Sequence, residues 1–177
     1  MNENQTILSA ARYAAEKHAG QKRKGAAGEP YVNHVIEVAH LVSTATDDVN
    51  VIVAALLHDV IEDTDVTAEE MSKHFGQDVT DLVVEMTDDK LLPKKERKRL
   101  QIEHAPHMSV RAQMIKLADK ISNLQSILSS PPANWDYERK RQYFEWGKQV
   151  VDALSSPNPF LKAEFNRIYQ RFNEVEP

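Results

Sequence analysis

The sequence predicts a single all-α domain, and three observations indicate it. Apolar residues recur at helical spacing nearly everywhere, strand-like alternation is absent, and only five of the 177 residues are glycine. The length is ordinary for one domain, and no internal repeat or low-complexity segment divides the chain. We therefore expect one helical bundle of about nine helices across residues 1–177.

Each predicted helix follows from its apolar periodicity, and several have residues typical of a helix start. In chain order, the predicted helices span 4–18, 31–45, 48–63, 68–75, 78–87, 94–103, 110–128, 136–154 and 159–172. Four of the predicted helices begin with an N-cap side chain. Thr67 forms a capping box with Glu70, Ser109 and Asp136 are single N-caps, and Asn158 is an N-cap followed by Pro159 in the first turn.

The composition excludes several function classes. Without cysteine, the chain has no thiolate metal site, cysteine nucleophile or redox dithiol. Its net charge of −5 disfavours broad nucleic-acid binding. The longest apolar run, 51–57, is far shorter than the roughly 20 residues of a membrane span. The polar N-terminus also lacks the features of a signal peptide. We expect a cytoplasmic protein with neither a membrane nor a nucleic-acid partner.

The predicted helix 48–63 combines an apolar surface on all sides with an acidic end. Such a helix is typically buried, yet it ends in His58, Asp59, Glu62 and Asp63. Acidic residues there oppose the helix dipole, and buried carboxylates are costly unless they are paired or bind a cation. A solvated helix end is the alternative. The pattern favours a functional cluster.

Two further candidates lie on other predicted helices. His34 falls on the apolar stripe of 31–45, where a lone histidine is by itself more typical of a core residue. Asp119 lies opposite the main apolar stripe of 110–128. Periodicity leaves open whether that second face is solvated or packs around a site.

Together these residues form a set of two imidazoles and two carboxylates: His34, His58, Asp59 and Asp119. Such a set suits Mn²⁺, Fe²⁺, Zn²⁺ or Mg²⁺ and leaves positions open on an octahedral ion for water and a phosphate oxygen. A divalent ion lowers the pKa of bound water. Glu62 and Asp63 could then orient or deprotonate that water.

Two basic segments interrupt the helical pattern. The loop 20–30 contains three consecutive basic residues and three of the five glycines, and the segment 90–99 contains six basic residues. We interpret 90–99 as mainly a solvated helix face, with one or two side chains able to reach phosphate. Arg139 and Tyr143 share a helix face, and Tyr143 is equally compatible with core and contact. The aromatic residues assigned to packing are Trp135, Phe144, Trp146 and Phe165.

Longer motifs make a family resemblance specific. The spaced His34, His58-Asp59 and Asp119 resemble the signature of HD-domain metal-dependent phosphohydrolases. The strings HDVIEDT at 58–64, GEPYVNH at 28–34 and KLADKISN at 116–123 resemble the hydrolase domain of the RelA/SpoT alarmone enzymes. The likeness is strongest to the stand-alone small alarmone hydrolases, including the metazoan SpoT-homologue type, and covers nearly the whole chain.

The resemblance implies a manganese-dependent hydrolase that removes the 3′-diphosphate from ppGpp or pppGpp, giving GDP or GTP and pyrophosphate. It implies that His34, His58, Asp59 and Asp119 bind one Mn²⁺ ion and that Glu62 and Asp63 activate water. The substrate contacts that it implies are Arg23, Lys24, Lys116, Asn123, Arg139 and Tyr143. Since the long enzymes carry additional synthetase and regulatory domains, we expect hydrolysis without synthesis.

Two alternatives remain. A site for phosphate on a ribose hydroxyl could also accept NADPH at its 2′-phosphate, and a catalytically silent nucleotide-binding module would retain the fold. The residues do not identify the metal loaded in cells, because several first-row ions bind such sites. They also leave the oligomeric state open. Five histidines outside the motif are expected at the surface or around the site: His18, His40, His74, His104 and His107.

Overall fold

A computed structural model describes residues 2–175 and confirms the all-α prediction. Over this range, it contains ten α-helices and one short 3₁₀ helix; an isolated antiparallel bridge joins Lys22 and Pro30. The helices are α1 Glu3–Lys17, α2 Val32–Ser43, α3 Val49–Leu57, α4 Val60–Asp63, α5 Ala68–Phe75, α6 Gln77–Met86, α7 Lys94–His104, α8 Val110–Ser129, α9 Tyr137–Ala153 and α10 Pro159–Val175, with the 3₁₀ helix Ala105–His107 before α8.

The predicted helix starts are confirmed, with one change. Ser109, Asp136 and Asn158 cap α8, α9 and α10 by accepting hydrogen bonds from backbone N–H groups. Thr67 caps α5 by accepting from the N–H of Glu70. The reciprocal arm of the predicted capping box was wrong: the Glu70 carboxylate accepts from Tyr13 and Lys17 on α1 instead. This side chain therefore ties α5 to α1.

The prediction of one continuous helix over 48–63 was also wrong. The helix ends at Leu57 and resumes at Val60, because the imidazole of His58 donates to the carbonyl of Ala55 and Asp59 adopts φ −100°, ψ −4°. That backbone region is common among active-site residues. On a continuous helix, neighbouring side chains would point about 100° apart. The turn instead lets the side chains of His58 and Asp59 approach each other.

The core surrounds α3, which packs against α1, α2, α6 and α8. Its apolar residues are buried on several sides, including Val53, Ala54 and Leu57 with no exposed surface. Burying a side chain as large as that of Val53 or Leu57 contributes about 1.5–3 kcal/mol. Further along, α10 covers α8, and Phe172 stacks on Phe144 of α9 at 4.1 Å. The predicted packing role of Phe144 and Phe165 is confirmed.

The second face of α8 is buried rather than solvated. Because α2 and α3 both pack against this helix, Asp119, Lys116 and Ser122 lie in the interior together with its main apolar stripe. Periodicity left open whether the Asp119 face is solvated or packed, and the structure shows that it is packed. Among residues 2–175, no helix is both long and apolar enough to cross a membrane.

The basic loop 20–30 is closed by backbone hydrogen bonds and rests on the connection between α8 and α9. The N–H of Arg23 donates to Glu29, and the N–H of Tyr31 donates to Gln21. The N–H of Ala27 donates to the Ser130 hydroxyl at 3.0 Å. The position of this loop is therefore set by a segment about 100 residues away.

Replacing Gly25 by Ala is expected to destabilise this junction. A Cβ at Gly25 would lie 2.2 Å from the backbone oxygen of Ser130, which cannot move independently of its chain. We expect a loss of roughly 1–3 kcal/mol, measurable as a fall in Tm of roughly 2–10 °C for a chain of this size. The matched control is Gly147→Ala, whose Cβ would make ordinary 3.5 Å contact with Leu124. Equal Tm values for the two variants would contradict this expectation.

Candidate metal centre and its cleft

Four side chains predicted from separate parts of the sequence converge where α2, α3 and α8 meet. The Nε2 atom of His58 lies 3.1 Å from Asp59 Oδ2 and 3.6 Å from Asp119 Oδ1. The Nε2 atom of His34 lies 3.2 Å from Asp119 Oδ1 and 3.6 Å from Asp59 Oδ2. Potential ligand atoms of His34, His58 and Asp59 all lie within 4.8 Å of one another. This spacing is compatible with a bound divalent metal ion.

Hydrogen bonding on the far side of each ring supports this assignment. Since a carbonyl oxygen can only accept, the Nδ1 of His58 must donate to Ala55, at 2.8 Å. The Nε2 of His58 is buried and has no hydrogen-bond partner among the described residues. When it carries a lone pair, it faces carboxylate oxygens that carry lone pairs as well. A cation between them resolves this repulsion, so the residues fit a metal ion.

The charges within the cluster depend on one another. Burial disfavours the charged form of His58, but Asp59 and Asp119 overcome this effect and raise its pKa to about 10. Burial also acts to raise the pKa values of both carboxyl groups. The neighbouring imidazoles, together with Lys120 beside Asp119, nevertheless hold those pKa values below their ordinary range. Both carboxylates are thus ionised at neutral pH, as cation ligands must be, and His58 gives up its second proton when a metal binds at Nε2.

The carboxylates are held in place by two residues that the sequence analysis missed, Tyr31 and Lys120, and by Asn123, which it predicted as a substrate contact. The Tyr31 hydroxyl donates to Asp59 at 2.6 Å, and the Lys120 ammonium lies 3.1 Å from Asp119. The side-chain amide of Asn123 donates to Asp119 at 2.7 Å. Tyr31 and Lys120 belong to the motif strings, but their chemistry depends on contacts that only the fold creates.

Glu62 and Asp63 lie on α4, directly after the cluster. One oxygen of Glu62 accepts from the backbone N–H of Asp88 at 2.9 Å, and the other lies 3.6 Å from the Lys90 ammonium. Asp63 accepts from Lys90, and its carbonyl accepts from Gln21 at 3.0 Å. Burial and the neighbouring carboxylates raise the pKa of Glu62, although the N–H of Asp88 opposes them. Glu62 is therefore suited to take up a proton.

Three members of this cluster, His58, Asp59 and Asp119, line a cleft of about 630 Å³. Nine basic and five acidic side chains line the cleft, so it has an excess of four positive charges in a chain of net charge −5. Such a concentration of charge attracts a polyanionic ligand. The basic side chains are Lys22, Arg23, Lys24, Lys90, Lys94, Arg97, Lys98, Lys116 and Lys120.

The structure brings the twelve predicted site residues together. Ten of them line the cleft: Arg23, Lys24, His58, Asp59, Glu62, Asp63, Lys116, Asp119, Asn123 and Tyr143. His34 is buried behind the cleft wall at 2% exposure. The guanidinium of Arg139 lies 4.7 Å from the ring centre of Trp135, which lines the cleft.

Two interpretations of the sequence need correction. The basic segment 90–99 is not mainly a solvated face, because four of its six basic side chains line the cleft. Trp135 and Trp146 do not only pack, since both also line the cleft, on either side of Tyr143 at 5.4 Å. Helical periodicity reports which residues face inward and does not distinguish a core from a cleft wall.

The histidines outside the motif lie where they were expected. His18 is buried, with its ring 5.0 Å from that of Tyr31 and its Nδ1 2.8 Å from Gln21 Oε1. It is thus one contact away from the cluster. The other four are exposed: His40, His74, His104 and His107.

Burial and the neighbouring cations disfavour the charged form of Lys98. Burial, together with Lys94, Lys120 and Arg139, lowers the pKa of Lys98 to about 8. Because the folded pKa lies below the unfolded value, the folded state binds fewer protons between about pH 8 and pH 10.5. Stability should rise with pH across that window. Below about pH 8, Lys98 is charged in both the folded and the unfolded state, so the full cost of burying its charge is present.

Lys98→Met is expected to stabilise the ligand-free protein by about 1 kcal/mol at pH 7, after allowing for solvent screening of this partly exposed group. The variant loses a cation–π contact with Trp146 at 4.4 Å, which offsets part of the gain. Thermal unfolding of both proteins at pH 7 and pH 10.5 measures the difference. A Tm difference that is the same at both pH values would contradict this explanation.

Comparison with known proteins assigns the family. Residues 10–143, which include all four clustered residues, match the family model for the HD domain. The chain belongs to the HD-domain family. The match covers more than half of the chain.

Relatives of this HD-domain protein share nearly its full length. It is 48% identical to "guanosine-3′,5′-bis(diphosphate) 3′-pyrophosphohydrolase MESH1" of Xenopus tropicalis, over 92% of each chain. It is 47% identical to the human protein of that name, over 93% of each chain. A solved structure described as a metazoan SpoT orthologue that hydrolyses ppGpp matches with a TM-score of 0.90 and 48% identity, over 94% of each chain. The predicted membership of this hydrolase family is confirmed.

Proposed function

We propose that this HD-domain protein hydrolyses ppGpp and pppGpp at the 3′ position, giving GDP or GTP and pyrophosphate, with Mn²⁺ as its metal. The observation that carries the proposal is a buried cluster of two imidazoles and two carboxylates in the wall of a cleft with excess positive charge. The charge suits a ligand with several phosphates. The names of the near-full-length relatives supply the specific nucleotide.

The four clustered side chains would hold the metal: His34, His58, Asp59 and Asp119. A metal bound there polarises a phosphoryl oxygen and lowers the pKa of water. Oxygen and nitrogen donors without thiolates suit Mn²⁺. The protein's own part is to keep both carboxylates ionised and to fix their direction through Tyr31, Lys120 and Asn123.

Glu62 is proposed to accept a proton from the attacking water, since its raised pKa lets it hold that proton. Asp63, which accepts from Lys90 in the loop after α6, keeps α4 aligned with that loop. Both acids lie near Lys90, but Asp63 accepts its hydrogen bond, whereas Glu62 accepts from the backbone N–H of Asp88.

The remaining residues are proposed to bind the nucleotide. The half-buried guanidinium of Arg23 lies 5.9 Å from the ring centre of Tyr31, where it could stack on a base and still donate hydrogen bonds. Asn123 donates to Asp119, so its amide oxygen is available for a ribose hydroxyl. The cations proposed to bind phosphate are Lys24, Lys116 and Arg139, and Tyr143 completes the wall between the two tryptophans.

One experiment tests the reaction and its alternatives. Metal-stripped protein, resupplied with Mn²⁺, is incubated with ppGpp and separately with NADPH. Nucleotides are resolved by anion exchange, and pyrophosphate and orthophosphate are assayed individually. We expect GDP and pyrophosphate from ppGpp, and no products when the Asp59→Ala variant is used.

Other results would overturn the proposal in distinct ways. Orthophosphate and NADH alone would indicate removal of the 2′-phosphate from NADPH at the same metal centre. No turnover of either nucleotide, with no bound divalent ion, would indicate a silent binding module. Mn²⁺ titration during the assay tests the metal, since equal activity without added metal would exclude the proposed dependence.

A further inference from the structure

We propose that Ser122 and Glu37 are positioning residues that present the Nε2 atom of His34 to the metal; this inference rests on the metal centre of the proposed function. The Nδ1 of His34 lies 2.8 Å from the Ser122 hydroxyl oxygen. That hydroxyl in turn donates to the Glu37 carboxylate at 2.6 Å. The three groups form a chain from the cluster to the protein surface.

The donor order in this chain follows from its chemistry. A carboxylate can only accept, and a serine hydroxyl has one proton to donate. Because Ser122 gives that proton to Glu37, its oxygen must accept from His34. Nδ1 of His34 therefore carries the ring proton, and Nε2 keeps the lone pair that faces Asp119 and Asp59.

The chain arises from the crossing of two helices. Glu37 follows His34 by three residues on α2, and Ser122 follows Asp119 by three residues on α8. At this spacing, each pair shares a helix face. Ser122 has no exposed surface, whereas Glu37 starts on the exposed side of α2 and its carboxylate reaches the buried hydroxyl. The negative charge at the far end makes His34 a stronger electron donor at Nε2.

His58 obtains the same orientation in another way. Its Nδ1 donates to the backbone carbonyl of Ala55, which no side-chain substitution removes. The orientation of His34 is therefore the one that depends on side chains. This difference predicts that metal affinity is sensitive to Ser122 and, more weakly, to Glu37.

The test measures Mn²⁺ affinity directly, through the electron paramagnetic resonance signal of free Mn²⁺ during titration of the full chain. Ser122→Ala is expected to weaken Mn²⁺ binding roughly 10–100-fold, the usual effect of losing such an outer partner. Glu37→Gln keeps an accepting oxygen and removes the charge, so about 2–5-fold weakening is expected at this solvent-accessible position.

Controls separate positioning from folding. Ser129→Ala removes a hydroxyl on the same helix that donates to the backbone carbonyl of Gln125, away from the metal cluster, and it should leave Mn²⁺ affinity unchanged. Thermal unfolding of the metal-free proteins reports any structural loss. Because Glu37 is exposed, Glu37→Gln should fold normally and keeps the proposal testable if Ser122→Ala does not fold.

The proposal is overturned if Ser122→Ala binds Mn²⁺ within twofold of the wild type. It is also overturned if Glu37→Gln binds Mn²⁺ as tightly as the wild type, or more weakly than a folded Ser122→Ala variant. Wild-type protein that binds Mn²⁺ without hydrolysing ppGpp would refute the proposed substrate while leaving this inference intact, so the two failures are distinguishable.

Discussion

Replacing Asp59 by Asn is expected to lower ppGpp turnover by at least about 10³-fold and to abolish tight Mn²⁺ binding. Metal-ion catalysis contributes several kcal/mol to the barrier, and each 1.4 kcal/mol corresponds to a factor of ten in rate. Asparagine has almost the same shape and can still accept from the Tyr31 hydroxyl. The variant therefore removes the charge with little change in packing. Activity and Mn²⁺ titrations measure the two effects.

Asp152→Asn is the matched control for this variant. Asp152 is a surface carboxylate that pairs with Lys148 and Lys162, outside the cleft. We expect normal turnover and normal Mn²⁺ affinity. If Asp59→Asn bound Mn²⁺ as tightly as the wild type, Asp59 would not be a ligand and the proposed centre would be wrong.

Replacing Glu62 by Gln is expected to lower kcat by roughly 10²–10⁴-fold, the range for loss of a general base. Metal affinity should change little, because neither Glu62 oxygen lies in the cluster. One oxygen accepts from Asp88 and the other faces Lys90. Measurement of kcat and Mn²⁺ affinity on the same preparation separates this effect from loss of a ligand.

The pH dependence gives Glu62 a second test. Burial and nearby carboxylates raise its pKa, and a base must be deprotonated to act. Wild-type activity should therefore decline as the pH falls through that raised pKa, and this acid limb should flatten in Glu62→Gln. Asp63→Asn should keep the limb, because Asp63 is proposed to hold Lys90 rather than accept the proton. Near-normal turnover of Glu62→Gln with tightly bound metal would refute this division of roles.

Helical periodicity and N-cap chemistry were sufficient to predict most of the fold, because both depend on residues close in sequence. Ser109 and Asp136 cap their helices as expected. The helix break at His58 and Asp59 escaped prediction, since it comes from a side chain that bonds to the backbone within a strongly helical pattern. The helix propensity of the surrounding residues favours a continuous helix, but the hydrogen bond from His58 to the carbonyl of Ala55 interrupts it.

The candidate site also contains residues that the sequence predicted and partners that only the fold brings to them. The clustered histidines and aspartates were predicted because buried acids and their motif spacing are visible in the sequence. Their partners were not, since Tyr31 and Lys120 acquire their roles only from contacts across the fold. The cleft lining by Trp146 was missed for the same reason.

By itself, the sequence determined that this chain is an all-α HD-domain protein, and it predicted a set of nitrogen and oxygen ligands. Apolar spacing, absent cysteine and the motif strings are properties of the linear chain. Only the tertiary structure decided that the Asp119 face is buried, that the basic segment 90–99 lines the cleft, and that Ser122 links His34 to Glu37. Each of these facts depends on helices that are distant in sequence and meet in space, so local pattern carries no record of them.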